Sequence, residues 1–253
     1  MLKNSQGFFS TLSNRETNDF ESTPRHRIRY MRPFETLDFM ITPDGQRLSL
    51  HHRDGDYFID LDGHELMSTR VHDSETALGE LACARLGRIK HPRLLIGGLG
   101  LGFTLRAVLD ALPDGAEVVV GEVFPIVVAW HQTHLQSLGV PLDDPRVRVH
   151  EGDVSDLLGW DGRHRYHAIV LDTDNGPDAT CLSSNASLYD DLGIERIKQS
   201  LEPGGVLAVW SAHTDPKFSR RLRRHGFSVT METVRGHRRK GPRHTIFLAT
   251  KLP

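Results

Sequence analysis

Residues 93–104 read Arg93-Leu94-Leu95-Ile96-Gly97-Gly98-Leu99-Gly100-Leu101-Gly102-Phe103-Thr104, and no other stretch restricts the fold as much. A short apolar run ends in a cluster of glycines, and a helix-forming stretch, Leu105-Arg106-Ala107-Val108-Leu109, follows at once. The pattern is a buried strand, a tight turn and a helix start. Glycine lets such a turn adopt positive φ and lets a ligand approach the backbone closely. The unpaired N–H groups of the new helix then face whatever sits in the crevice. A nucleotide-like ligand suits that geometry, although a glycine turn can also do no more than punctuate a chain.

Downstream, strand and helix patterns alternate. They predict a helix to about residue 112, a strand over 117–120 ending at Gly121-Glu122, and a helix over 125–138 with Pro125 at its start. A strand over 146–150 ends in Glu151-Gly152-Asp153, and another over 166–171 ends at Asp172. A helix over 187–201, a strand over 206–210, a helix over 216–225 and a strand pair over 228–234 and 245–250 complete the chain. Strands alternating with helices specify a parallel sheet covered on both faces, a doubly wound α/β fold. No helix pattern separates the last two strands, so they are expected as an antiparallel hairpin whose connecting loop, 235–244, holds the basic cluster.

Upstream, residues 35–69 show short strand signals broken by Pro43-Asp44-Gly45, Asp54-Gly55 and Asp62-Gly63. They predict a small antiparallel β-unit, too small at about 35 residues to stand alone. Asp73-Ser74-Glu75-Thr76 reads as the cap of a helix reaching about residue 86, with Leu78, Leu81, Ala82 and Leu86 on one face. The polar, aperiodic start of the chain reads as a mobile tail. The domain plan is a tail over 1–33, the β-unit over 34–70 and a Rossmann-like domain over 71–253.

Several function classes lack their signatures. No apolar run has the length of a membrane span, and the N-terminus has no secretory apolar segment, so a cytoplasmic protein is expected. Cys83 and Cys181 lie far apart, and the fifteen histidines form no HxxxH or HxH pattern and gain no cysteine partner, so no metal is expected. Neither a Gly-x-Ser-x-Gly elbow nor a Gly-Lys-Ser/Thr phosphate loop is present. From Lys217 to Lys251 there are eleven Lys/Arg against one acid, Glu232. That run is either a solvated basic face or a surface for an anionic substrate. Only Phe218, Phe227 and Phe247 interleave with it, which speaks against nucleic acid.

Ligands of open α/β sheets bind beyond the carboxyl ends of the strands. The candidate cofactor residues are therefore Gly98, Gly100 and Gly102, then Glu122, Asp153 and Asp172. Glu122 lies 20 residues after Gly102, where a carboxylate can accept from two ribose hydroxyls or cap its own loop. Asp153 can accept from a nucleobase amine or act as a helix N-cap. Asp172 and Asp174, in Asp172-Thr173-Asp174-Asn175-Gly176-Pro177, sit where a group would be transferred. A carboxylate there can take a proton from an attacking amine, or the loop can bond its own backbone.

The glycine pattern separates two cofactor types. Gly98-x-Gly100-x-Gly102 leaves Phe103 where a dinucleotide fingerprint would place its third glycine. With Leu201-Glu202-Pro203-Gly204-Gly205 and the closing hairpin, the chain resembles class I S-adenosylmethionine-dependent methyltransferases. Within that superfamily residues 37–251 are similar to spermidine synthases, the polyamine aminopropyltransferases. The resemblance implies a seven-stranded Rossmann-like sheet with an antiparallel last strand, S-adenosylmethionine or its decarboxylated form as cofactor, a small-molecule acceptor and a homodimer. It makes Asp172 the catalytic aspartate.

Three positions depart from the family pattern. Gly100 stands where the loop acid is usual, Asn175 replaces the second loop acid, and Leu78-Gly79-Glu80 replaces Tyr-His/Gln-Glu. The candidate substrate contacts are Glu75, Asn175, Arg239 and Arg243. Three readings follow: aminopropyl transfer to an amine with Asp172 as base; methyl transfer to a small acidic substrate held by Arg238, Arg239 or Arg243; and a nucleoside-binding module without catalysis.

Overall fold

The computed structural model describes residues 33–139, 142–159, 165–173, 176–177, 185–237 and 240–253. The tail expected over 1–33 lies outside the described residues except for Pro33. The chain from Pro33 to Pro253 is one compact unit containing two sheets.

The first sheet is an antiparallel meander of β1 (Glu35–Ile41), β2 (Arg47–Arg53), β3 (Asp56–Leu61) and β4 (His64–Ser68). Asp54 and Gly55 take φ of 54° and 92°, and Asp62 and Gly63 take 50° and 83°. Two successive left-handed residues match the right-handed twist of hairpin strands, so the Asp-Gly pairs set both turns. Leu48, Leu50, Ile59 and Leu61 point inward and join the core of the larger sheet. Trp130 Nε1 donates to Asp38 Oδ2 at 3.0 Å and ties the meander down.

The rest of the chain runs α1 (Asp73–Ala84), β5 (Arg93–Gly97), α2 (Phe103–Ala111), β6 (Glu117–Glu122), α3 (Pro125–Thr133), β7 (Val147–Glu151), β8 (Tyr166–Leu171), α4 (Ala186–Tyr189), α5 (Asp191–Ser200), β9 (Leu201–Ser211), α6 (Pro216–Arg224), β10 (Phe227–His237) and β11 (Lys240–Lys251). The second sheet has the order β10-β11-β9-β8-β5-β6-β7. Strands β5 to β9 pair in parallel, and β11 is antiparallel to both β9 and β10. This is the expected seven-stranded doubly wound sheet with its last strand reversed. Alternate side chains feed two cores. Leu94, Ile96, Ala168 and Val170 face α1, α2 and the meander, whereas Leu95, Ile169 and Leu171 face α5 and α6.

Four local expectations fail. The α1 N-cap is His72, not Asp73, and it makes no side-chain cap bond. Helix α3 stops at Thr133 and a separate 3-10 turn follows over Gln136–Leu138. The helix expected over 187–201 breaks at Asp190, whose carboxylate accepts from Gly193 N at 2.7 Å and starts α5 anew. The basic connection expected as a loop over 235–244 is largely strand, with Arg235 opposite Arg243 and His237 opposite Lys240. Cross-strand pairing with an already buried β11 extends both arms past their apolar residues. Among the described residues no helix is long and apolar enough to cross a membrane.

Candidate active site

From β5 the chain moves out through β6 to β7, then crosses to the other side of β5 with β8. A crevice opens beyond the strand ends where the order reverses. Backbone bonds hold these ends together. Asp172 N donates to Gly97 O at 2.9 Å, Gly98 N to Gly121 O at 2.8 Å, and Gly152 N to Glu122 O at 2.8 Å. The residues after four strands are thereby set side by side, and Gly98, Gly100, Glu122, Asp153 and Asp172 all line one cleft. Gly102 is the N-cap of α2, with φ of 81°.

The glycine loop is gripped from three sides. Glu122 accepts from Leu99 N at 2.9 Å and from Phe124 N at 3.0 Å, one bond to each oxygen. Burial raises its pKa, and the backbone N–H bonds pull the other way. His131 Nε2 lies 2.8 Å from Gly100 O, an oxygen that can only accept, so Nε2 carries the hydrogen. Burial lowers the His131 pKa and keeps the ring neutral. Leu101 N donates to Met67 Sδ at 3.0 Å. The Met67 sulfur fills the space over Gly100, only 2.4 Å from where a Cβ would stand. At Gly98 a Cβ would stand 2.3 Å from the Asp172 carbonyl oxygen, so φ of 89° and a bare backbone are both needed there.

Asp153 accepts from Ser155 N at 2.8 Å and caps the 3-10 turn Val154–Leu157, while also lining the cleft. The capping role is therefore real, and the cofactor role is compatible with it.

The reacting end is built by two helices. A Cβ on Gly79 would lie 2.9 Å from Ala107 Cβ and 2.9 Å from Thr104 O. The missing side chain lets α1 lie close against α2, and one turn earlier Glu75 reaches Thr104. Thr104 Oγ1 donates to Asp172 Oδ2 at 2.7 Å and stands 3.2 Å from Glu75 O. The Glu75 carboxylate is only 7% exposed and accepts from Ser74 Oγ. Burial, then the charge of Asp172, raises the Glu75 pKa to about 7. Burial raises that of Asp172 to about 6, against the pull of the Thr104 bond. Two carboxyl groups thus face one small volume, and among the described residues no lysine or arginine pairs with either.

The other candidates divide. Glu75, Gly98, Gly100, Glu122, Asp153 and Asp172 come together around the cleft. Arg243 is exposed on the outer hairpin and is not among the residues lining the cleft. Asp174, Asn175, Arg238 and Arg239 lie outside the described residues. Thr104, Met67 and Trp210 reach the site without having been singled out. Only Thr104 had a local signal, a hydroxyl in the first turn after the glycines. Among the described residues no three His, Cys, Asp or Glu side chains stand together as a metal group would require.

No family model matches the chain. A 115-residue stretch, 45% of this chain, is 31% identical to the spermine synthase of Arabidopsis thaliana and spans 30% of that protein's length. The spermidine synthase of Thermotoga maritima superposes with a TM-score of 0.66 at 18% identity, over 90% of this chain and 81% of that one. A spermidine synthase in complex with the transition-state analogue AdoDATO superposes with a TM-score of 0.67 at 17% identity, over 92% and 84%. The chain has the fold of these spermidine synthases and spans less than a third of the length of the curated relative that it matches.

Proposed function

We propose that the protein is a transferase that moves an aminopropyl group from decarboxylated S-adenosylmethionine to an amine, with Asp172 as the base. The observation that carries this reading is the pair of buried Glu75 and half-buried Asp172, two carboxyl groups lining one cleft without a cationic partner among the described residues. Burying carboxylates is unfavourable unless a positive charge or donors meet them. An ammonium acceptor beside a sulfonium supplies that charge. The spermidine synthase solved with AdoDATO, which has this fold, supports the same reading.

The residues fit the cofactor. The Glu122 carboxylate is fixed by the N–H groups of Leu99 and Phe124 at the end of β6, where it can meet the ribose. Asp153 has one oxygen engaged by Ser155 N and a second for a nucleobase amine. Gly98 keeps a side chain away from the Asp172 main chain, and Gly100 leaves room for the Met67 sulfur. When bound, the decarboxylated cofactor supplies an electrophilic carbon next to a sulfonium sulfur.

Asp172 would orient the acceptor nitrogen and receive its proton as the carbon–nitrogen bond forms and the carbon–sulfur bond breaks. Thr104 holds the Asp172 carboxylate in place for that step. Glu75 would hold the acceptor as an ammonium before the proton is lost. It restores to the site, from α1, a carboxyl group that the glycine loop lacks at Gly100. The same pair favours the decarboxylated cofactor over the full one, whose carboxylate would meet two acids of like charge.

Calorimetry with decarboxylated S-adenosylmethionine, S-adenosylmethionine and methylthioadenosine tests this. Tight binding of the decarboxylated form and of methylthioadenosine is expected. Preference for the full cofactor would turn the reading to methyl transfer, and no binding of any of the three would remove both.

A further inference from the structure

The sheet order assigns the parts of the cleft. Glu122 and Asp153, on the β6 and β7 side, take the nucleoside, and Gly98 and Asp172, beyond β5 and β8, mark the reacting centre. What remains for the acceptor lies on the β9 and β11 side. There Trp210 lines the cleft, and its ring packs on His244 from β11, with centroids 4.7 Å apart and planes at 30°.

No acid among the described residues at this end suits a second ammonium. Among the described residues, the acids lining the cleft are Glu75, Glu122, Asp153 and Asp172, all at the reacting centre or on the nucleoside side. Burial lowers the pKa of His244, with the charge of His213 acting in the same direction, which disfavours a charge on this ring. Arg235 and Arg243 pair across the hairpin on the face of the sheet opposite to His244, so they bring no charge to this end. Trp210 Nε1 and His244 Nδ1 are buried without a hydrogen-bond partner among the described residues.

We propose, on the strength of the transfer reading above, that the acceptor is a primary amine with a single ammonium and an uncharged tail. The ammonium sits between Glu75 and Asp172, and the tail lies on the Trp210–His244 ring pair. An aliphatic or aromatic tail gains apolar contact with the rings. A diamine would place its second ammonium against the rings, where lost hydration without an acid to meet it opposes binding.

The test varies only the far end of one carbon chain. Pentylamine, aminopentanol, diaminopentane and aminopentanoate are titrated by calorimetry into the protein saturated with methylthioadenosine, and the same amines are assayed as acceptors with decarboxylated S-adenosylmethionine. Pentylamine and aminopentanol should bind, and the two charged-tail compounds should bind roughly 100-fold more weakly. In Trp210→Ala the two uncharged amines should lose most of that advantage. The wild-type ranking decides the matter even where the variant does not fold. Tightest binding by diaminopentane or by aminopentanoate overturns the proposal and leaves the transfer reading standing. The expected ranking without any transfer supports the proposal and removes the transfer reading. No binding by any of the four overturns the proposal.

Discussion

Asp172 and Glu75 share one hydroxyl group: Thr104 Oγ1 lies 2.7 Å from Asp172 Oδ2 and 3.2 Å from the Glu75 carbonyl oxygen. One O–H cannot fully serve two acceptors. With Asp172 ionised the hydroxyl is drawn to the carboxylate. A protonated Asp172 can instead donate to the hydroxyl, which is then released to the Glu75 carbonyl. The protonation of one acid is thereby linked to the backbone of the helix that carries the other.

That pair makes the unliganded protein pH-sensitive in a defined direction. Both acids are raised, to about 7 for Glu75 and about 6 for Asp172, so the folded state holds protons that the unfolded chain has released. Their contribution to stability is present at low pH and is lost as pH rises from about 4 through 7. Glu75→Gln removes a charge that nothing neutralises. It should raise the stability of the unliganded protein by on the order of 1 kcal/mol at about pH 8, and by little at about pH 5. Melting curves of the two proteins at both pH values measure this; a variant less stable than wild type at the higher pH would refute it.

Replacing Asp172 by Asn should leave the proposed nucleoside site intact, because Glu122 and Asp153 are unchanged. Transfer should fall roughly 10²–10⁴-fold, the usual contribution of a positioned base. In the wild type kcat/KM for the amine should rise with pH through the range of about 6 to 7 set by the coupled pair. The rise belongs to the pair rather than to either residue. Initial rates across pH, with methylthioadenosine affinity as the control, separate a lost base from a damaged fold. Unchanged turnover in Asp172→Asn would take the residue out of the mechanism.

How much of this could be read from the sequence depended on the range of each signal. Leu94-Leu95-Ile96 and the glycines that follow carry their own instructions, and so do Asp54-Gly55 and Asp62-Gly63, because backbone φ and local burial decide those conformations. Glu75 was legible as a candidate contact but not in its role. Asp73-Ser74-Glu75-Thr76 looks like a capping box, and only the packing of α1 on α2 turns the glutamate toward Asp172. Gly79 looked like the loss of a polar group; its reason is the 2.9 Å approach to Ala107 and Thr104. Trp210 and His244 meet only because β11 pairs beside β9, a long-range fact that no local pattern contains.

The close approach at Gly79 has a consequence of its own. In Gly79→Ala the new methyl group meets Ala107 Cβ and the Thr104 carbonyl oxygen, and neither can swing aside. Helix α1 must move off α2 and take Glu75 with it. The variant should lose about 1–3 kcal/mol of stability, the usual cost of overpacking a core contact. Its affinity for the amine should fall more than its affinity for methylthioadenosine, since Glu122 and Asp153, the proposed nucleoside contacts, lie on the other side of β5. Denaturant titration and two calorimetric titrations check the pattern. Equal loss of both ligands would mean a general loosening rather than a displaced Glu75.

The glycine loop offers a sharper contrast between neighbours. Gly98→Ala sets a methyl group 2.3 Å from the Asp172 carbonyl oxygen, which is backbone and cannot yield without shifting the end of β8. Gly100→Ala sets one 2.4 Å from Met67 Sδ, the flexible end of a side chain on β4. Both positions carry positive φ, 89° and 49°, so each substitution also costs about 1 kcal/mol of backbone strain. Gly98→Ala should therefore abolish methylthioadenosine binding and displace Asp172, whereas Gly100→Ala should keep binding within about tenfold, a difference of some 1.4 kcal/mol. Replacing Met67 by Ala in the Gly100→Ala background should recover part of the loss, because among the described residues it removes the side chain that the new methyl meets. No such recovery can occur at Gly98, where the obstacle is the main chain that positions the base.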